Sequence, residues 1–135
     1  MRCLLDTHII VSMLQHELAL RFPGPARVVQ AANFFGYVSV ASAWEIALKS
    51  RLGKLFPLTD LDTIPQTLQA IGLSILPVTL PHVLHTLDPE PPTRDPFDRL
   101  LLAQCHVEGL KLITVDRALV TIPWPSAPDL ATRGG

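Results

Sequence analysis

The sequence predicts an α/β domain wound around a parallel sheet, and three observations carry that prediction. Short runs rich in Val, Ile and Leu recur along the chain, segments of helical length separate them, and acids fall where runs stop. Taken in order, Arg2-Cys-Leu-Leu-Asp6 is apolar until it meets an acid, as a buried strand does when its carboxyl end reaches solvent. Pro25 to Phe35 reads as a helix with Gly36 as its stop, and Tyr37 to Val40 as the second strand. Ser42 to Leu52 is a stronger helix, with Trp44, Ala47, Leu48, Leu52 and Leu55 at apolar spacing and Gly53 as a C-terminal stop. Thr59 to Ile71 is a weaker one, because Pro65 fits only in a first turn. Ser74 to Val78 supplies the third strand, and Asp88 to Pro92 can only be a loop. Pro96 to Val107 is the most regular helix, followed by the Leu110 to Val115 strand. A polar tail, 132–135, leaves one domain over 1–131, with no internal repeat.

The size agrees, since 135 residues suffice to bury a core without disulfides or structural metal. With 48% hydrophobic and 17% charged residues the chain is a folding domain rather than a disordered segment. Its apolar runs fall far short of the roughly 20 residues that cross a bilayer, and no signal peptide opens it, so a cytoplasmic protein is expected. Cys3 and Cys105 stand in apolar runs without partners at metal-ligand spacing and read as buried free thiols. A net charge of -1 provides no global attraction for nucleic acid, so any polyanion contact must be local. Lys49, Arg51, Lys54, Arg94, Arg99 and Arg117 cluster near the acids described next and could position a phosphate backbone.

In open parallel sheets ligands bind beyond the carboxyl ends of the strands. Asp6 and Asp116 each end a strand there, while Glu45 and Asp98 sit in the first turns of the helices that open toward the same crevice. Both helical acids also have a purely structural reading. Ser42 to Glu45 has the form of a capping box, and Asp95-Pro96-Phe97-Asp98 that of a capped start with Pro at the first helical position. Helical geometry divides the roles. Steps of three and four from Asp98 reach Leu101, Leu102 and Cys105, an inward stripe, whereas Asp95 leads to Arg99 and His106. Asp95 and Ser42 are thus expected as caps, and Asp98 and Glu45 as inward acids, with a Glu45–Lys49 pair as the surface alternative for Glu45. Four converging carboxylates need compensation. All-oxygen donors point to Mg²⁺ or Mn²⁺ rather than Zn²⁺, since no histidine pair stands beside these acids. Such a cluster is suited to hydrolysing phosphodiesters.

Five blocks then resemble a known family. They are Leu4-Leu5-Asp6-Thr7-His8, Val38-Ser39-Val40-Ala41-Ser42-Ala43-Trp44-Glu45-Ile46-Ala47-Leu48-Lys49, Arg51-Leu52-Gly53-Lys54-Leu55, Arg94-Asp95-Pro96-Phe97-Asp98-Arg99-Leu100-Leu101-Leu102-Ala103-Gln104 and Leu112-Ile113-Thr114-Val115-Asp116. In this order they resemble PIN-domain proteins, nearest to the VapC-like ribonuclease toxins of type II toxin-antitoxin modules. The resemblance implies a PIN-like three-layer α/β/α fold with a central parallel sheet of four to five strands. It further implies an Mg²⁺- or Mn²⁺-dependent endoribonuclease with an acidic quartet at Asp6, Glu45, Asp98 and Asp116. Thr7 and Thr114 would support the metal site, and each would otherwise simply cap an element. A homodimer and a cognate antitoxin protein are implied partners. Thr93, Val115, Arg117 and the Asp88 to Pro92 extension depart from the usual pattern, which bears on RNA specificity and antitoxin fit. The alternatives are a housekeeping PIN nuclease in RNA processing, a catalytically silent domain that binds RNA or a protein, and an aspartyl-phosphate phosphatase. The last lacks a second acid two positions after Asp6.

Overall fold

A computed structural model describes residues 1–53, 61–116 and Leu119. The chain begins with β1 (Arg2–Leu5) and continues through α1 (Thr7–Leu14), α2 (Leu18–Arg21), α3 (Pro23–Gln30), β2 (Phe35–Ser39) and α4 (Val40–Arg51). A 3₁₀ turn (Leu61–Thr63) leads into α5 (Ile64–Ile71), followed by β3 (Ser74–Leu76), α6 (Leu80–Leu84), α7 (Pro96–Glu108) and β4 (Lys111–Ile113). Among the described residues the sheet has four strands in the order β3-β2-β1-β4, every pairing parallel. The fold is therefore the α/β arrangement expected, with helices flanking a parallel sheet.

Alternation along the central strand sorts the layers. Cys3 and Leu5 face a cluster with Ile9, Ile10, Val28, Ile46 and Leu68, drawn from α1, α3, α4 and α5. Leu4 points the other way, against Leu101, Leu102 and Cys105 of α7 and Leu112 of β4. Strand β1 is buried on both faces, which is why its sequence is an unbroken apolar run. Each fully buried Leu or Ile of this kind contributes about 1.5–3 kcal/mol. Both cysteines are buried free thiols, and desolvation pushes Cys3 up to about 11, far from reactivity at neutral pH.

Several boundaries differ from expectation. The helix expected over Pro25 to Phe35 runs Pro23–Gln30, and Gly36 is no helix stop but lies inside β2. A Cβ at Gly36 would meet Leu73 at 2.5 Å and Phe34 at 2.6 Å, so the glycine serves close packing in a strand. Helix α1 is an addition to the expected elements: it follows the strand that ends at Asp6, and eight residues that include β-branched Thr7, Ile9, Ile10 and Val11 give a weak helical signal. With four and five residues, α2 and α6 are too short for a period to show. Pro65 does fall in the first turn of α5, and Gly53 follows the last turn of α4 at φ 69°. The loop over 88–92 holds no helix or strand. Lys54, Leu55, Arg117 and the tail 132–135 lie outside the described residues.

Candidate metal centre at the strand ends

The carboxyl ends of β1 and β4 set the first acid in place. Asp6 follows β1 directly, and its backbone N–H extends the ladder to the Ile113 carbonyl at 2.9 Å. It occupies the N-cap position of α1, yet its side chain makes no cap bond. The carboxylate instead accepts a hydrogen bond from the hydroxyl of Thr114, just past β4 on the neighbouring strand. His8 stands 4.0 Å from its other oxygen, largely in solvent. Burial raises the Asp6 pKa above the ordinary carboxylate range; Thr114 and His8 oppose the rise, and Glu45 adds to it by repulsion.

Glu45 comes from α4 and is only 6% exposed. One oxygen accepts from the Thr7 hydroxyl at 2.7 Å, and the other pairs with the Lys49 ammonium at 2.7 Å. The inward acid and the pair with Lys49 are thus one arrangement: a long lysine reaches from the surface to a buried carboxylate. Glu45 raises the Lys49 pKa, first through this hydrogen bond. The expected cap Ser42 is corrected here. Helix α4 starts two residues earlier, and Ser39 is the N-cap, accepting from the Ala41 N–H at 3.0 Å. Ser42 is buried inside the first turns, 3.1 Å from the Thr7 hydroxyl. Its small polar side chain suited either position, and only packing against α1 chose between them.

Asp98 stands in the first turn of α7, half-buried. Asp95 occupies the N-cap, accepting from the Phe97 N–H at 2.8 Å. The Asp98 carboxyl rises to about 6, chiefly through burial and then through the negative charges of Asp6, Asp95 and Asp116. Thr93 donates to it at 3.3 Å and opposes the rise. Asp116 is exposed beyond β4, its N–H donating to the Thr114 hydroxyl at 3.1 Å. Thr114 therefore ties Asp6 to the segment bearing Asp116.

Among the basic candidates, Lys49 answers Glu45, while Arg51 and Arg94 are exposed. Arg99 turns away from the acids: it pairs with Glu90 and donates to the Thr93 carbonyl at 3.1 Å, holding the loop before α7. His8 beside Asp6, Ser42 against the Thr7 hydroxyl and Thr93 on Asp98 also belong to the site, in roles the sequence did not suggest for them. Their adjacency to Asp6, Glu45 and Asp98 was the available signal.

The donor set can be tested against a hard divalent cation. It offers carboxylate and hydroxyl oxygens, and Asp6 and Asp98 are raised first by burial and then by neighbouring acids, Glu45 for Asp6 and Asp6, Asp95 and Asp116 for Asp98, so the site holds negative charge that a cation would compensate. Donor type and charge fit Mg²⁺ or Mn²⁺. Among the described residues, however, no three His, Cys, Asp or Glu side chains are gathered at the spacing of a shared ion. The fit is one of chemistry and charge, with the carboxylates not drawn into a closed shell.

No match was found among curated proteins or among solved structures. The PIN domain family does match, over residues 3–125. That span runs from β1 to beyond β4 and takes in every acid described above, and on it the chain belongs to the PIN-domain family.

Proposed function

We propose that this chain is an Mg²⁺- or Mn²⁺-dependent endoribonuclease acting as the toxin of a type II toxin-antitoxin system. PIN domains are generally metal-dependent nucleases, and the observation that carries the reading is a buried Asp6, a buried Glu45 and a half-buried Asp98 at the strand ends, where burial first and neighbouring acids second raise Asp6 and Asp98. Asp6, Glu45, Asp98 and Asp116 would hold the ion. Bound there, it would supply a water of lowered pKa and stabilise charge on the phosphate. The chain's own residues do the rest. Thr114 fixes the Asp6 carboxylate, Thr7 fixes Glu45, and the cap at Asp95 sets the first turn that presents Asp98. Arg51 and Arg94, with Lys54 and Arg117, would hold the RNA backbone.

The toxin role, a cognate antitoxin and a homodimer are supported by the five sequence blocks. A cytoplasmic location agrees with the absence, among the described residues, of any helix long and apolar enough to cross a membrane. A silent domain that binds RNA or protein is the second reading, favoured by carboxylates that are not gathered at ligand spacing. RNA cleavage by the purified, antitoxin-free protein separates them. Cleavage should require Mg²⁺ or Mn²⁺, stop with chelator and disappear in Asp98→Asn. Cutting by Asp98→Asn at the parent rate would refute the site assignment, and no cutting by the parent with either ion would favour the silent domain.

A further inference from the structure

We propose that Trp44 and Phe97 form a stacking platform for one base of single-stranded RNA at the mouth of the acidic site. The inference rests on the nuclease reading above and adds to it a subsite for the nucleobase.

Each ring is reached by one step along a helix from a site acid: Trp44 precedes Glu45 on α4, and Phe97 precedes Asp98 on α7. Successive helical positions diverge by about 100°. A helix that turns Glu45 inward therefore turns Trp44 toward the rim, and α7 does the same with Asp98 and Phe97. Because α4 and α7 pack against each other, the two rims meet. The rings lie edge to face with centroids 5.5 Å apart at 63°. An edge contact braces the indole without enclosing it, and Trp44 remains 61% exposed.

An exposed aliphatic residue needs no explanation, whereas a large ring in edge contact with one neighbour and open beside a phosphodiester site has a natural ligand. Every base has a π face, and unpaired RNA offers that face freely. The acids themselves repel the backbone, so a contact to the base supplies attraction that the site's charge does not. Val40, Leu48 and Leu52 continue an exposed apolar line along α4 from Trp44. That line suits a protein partner, but it consists of residues from one helix. The aromatic end differs in drawing its second ring from α7 and in adjoining the acids.

Binding is measured with Asp98→Asn protein, so that a single-stranded RNA oligonucleotide survives the titration in Mg²⁺. Trp44→Ala should weaken binding about tenfold and Trp44→Phe clearly less, the range expected for one base on one aromatic ring. Replacing nucleotides one at a time by abasic residues should reveal one position whose loss costs the same factor. That position should cost nothing further in Trp44→Ala, and this non-additivity distinguishes stacking from a general loss of structure. Unaltered affinity in Trp44→Ala overturns the proposal while leaving the nuclease reading intact. So does a Trp44→Ala protein whose oligomeric state shifts in light scattering while its RNA affinity holds, which would assign the ring to a protein interface. A parent protein that neither binds nor cuts RNA with Mg²⁺ or Mn²⁺ overturns the nuclease reading itself.

Discussion

Two buried polar clusters lie on this sheet and its helices, and they are built on opposite plans. At the strand ends, Asp6 and Glu45 are buried close enough to repel each other, and half-buried Asp98 feels both Asp6 and Asp116. Across α7, His82 is 1% exposed and fully engaged. Its Nδ1 accepts from the Thr79 N–H at 3.0 Å, which leaves Nε2 to donate to Glu108 at 2.7 Å. Gln104 reaches the Pro77 carbonyl beside it at 3.2 Å, and only its Oε1 lacks a partner. The second cluster joins unlike groups and ties α6 to the end of α7. The first gathers like charges, which raises the energy of the folded chain and makes sense where an ion or a substrate completes the site.

Substitutions should separate the two plans, and the largest effect is expected at Asp6. Asp6→Asn keeps an acceptor for Thr114 but removes a buried charge, so the protein should melt a few degrees higher. Its cleavage of RNA should fall by at least about a hundredfold, because even outer partners of a metal ligand are typically worth 10- to 100-fold. A fall in both melting temperature and activity would remove the contrast. His82→Ala should do the reverse. Breaking a fully buried pair costs about 3–5 kcal/mol. Glu108 is 36% exposed and can rehydrate, so about 2 kcal/mol is expected, seen as a lower denaturant midpoint with the cleavage rate at low temperature retained.

Asp95→Ala tests the divided roles within Arg94-Asp95-Pro96-Phe97-Asp98. Loss of an ordinary N-cap costs about 1 kcal/mol, and chemical denaturation should register it with activity largely kept. The smallest effect concerns pH. Asp98 is raised to about 6 when folded, so between the unfolded carboxylate range and that value the folded state holds the extra proton. Stability from this group is therefore greatest at low pH and is lost as pH rises through about 6. Comparing melting curves of the parent and Asp98→Asn from pH 5 to 7.5 should show the parent losing ground as pH rises. Added Mg²⁺ should restore it above about pH 6 and not at pH 5, since the ion competes with that proton.

Much of this was legible in the chain. The apolar runs, the acids that end them, Pro96 behind Asp95 and the glycine after α4 are local signals, each acting within one turn or strand. The errors have local causes too. Helix α1 has only eight residues, too few for its period to stand out beside the strand that precedes it. Ser39 and Ser42 are both competent caps, and α4 begins where β2 leaves its last ladder position rather than where its apolar stripe begins. For the candidate site, the four acids could be named from strand ends and helix starts, while their supports could not be deduced from geometry.

The sequence by itself determined the order of the four strands and of the longer helices α3, α4, α5 and α7, the parallel sheet and the end of that sheet at which the acids fall. Tertiary structure alone decided which side chains meet: Thr114 with Asp6 across 108 residues, Thr7 with Glu45 across 38, and Trp44 with Phe97 at the α4–α7 seam. The physical reason is one of range. Periodicity and capping are short-range preferences that fix which face of an element turns inward. The partner on that face, and with it the shifted pKa of Asp6 and Asp98, depends on strand register and helix packing, which no local stretch encodes.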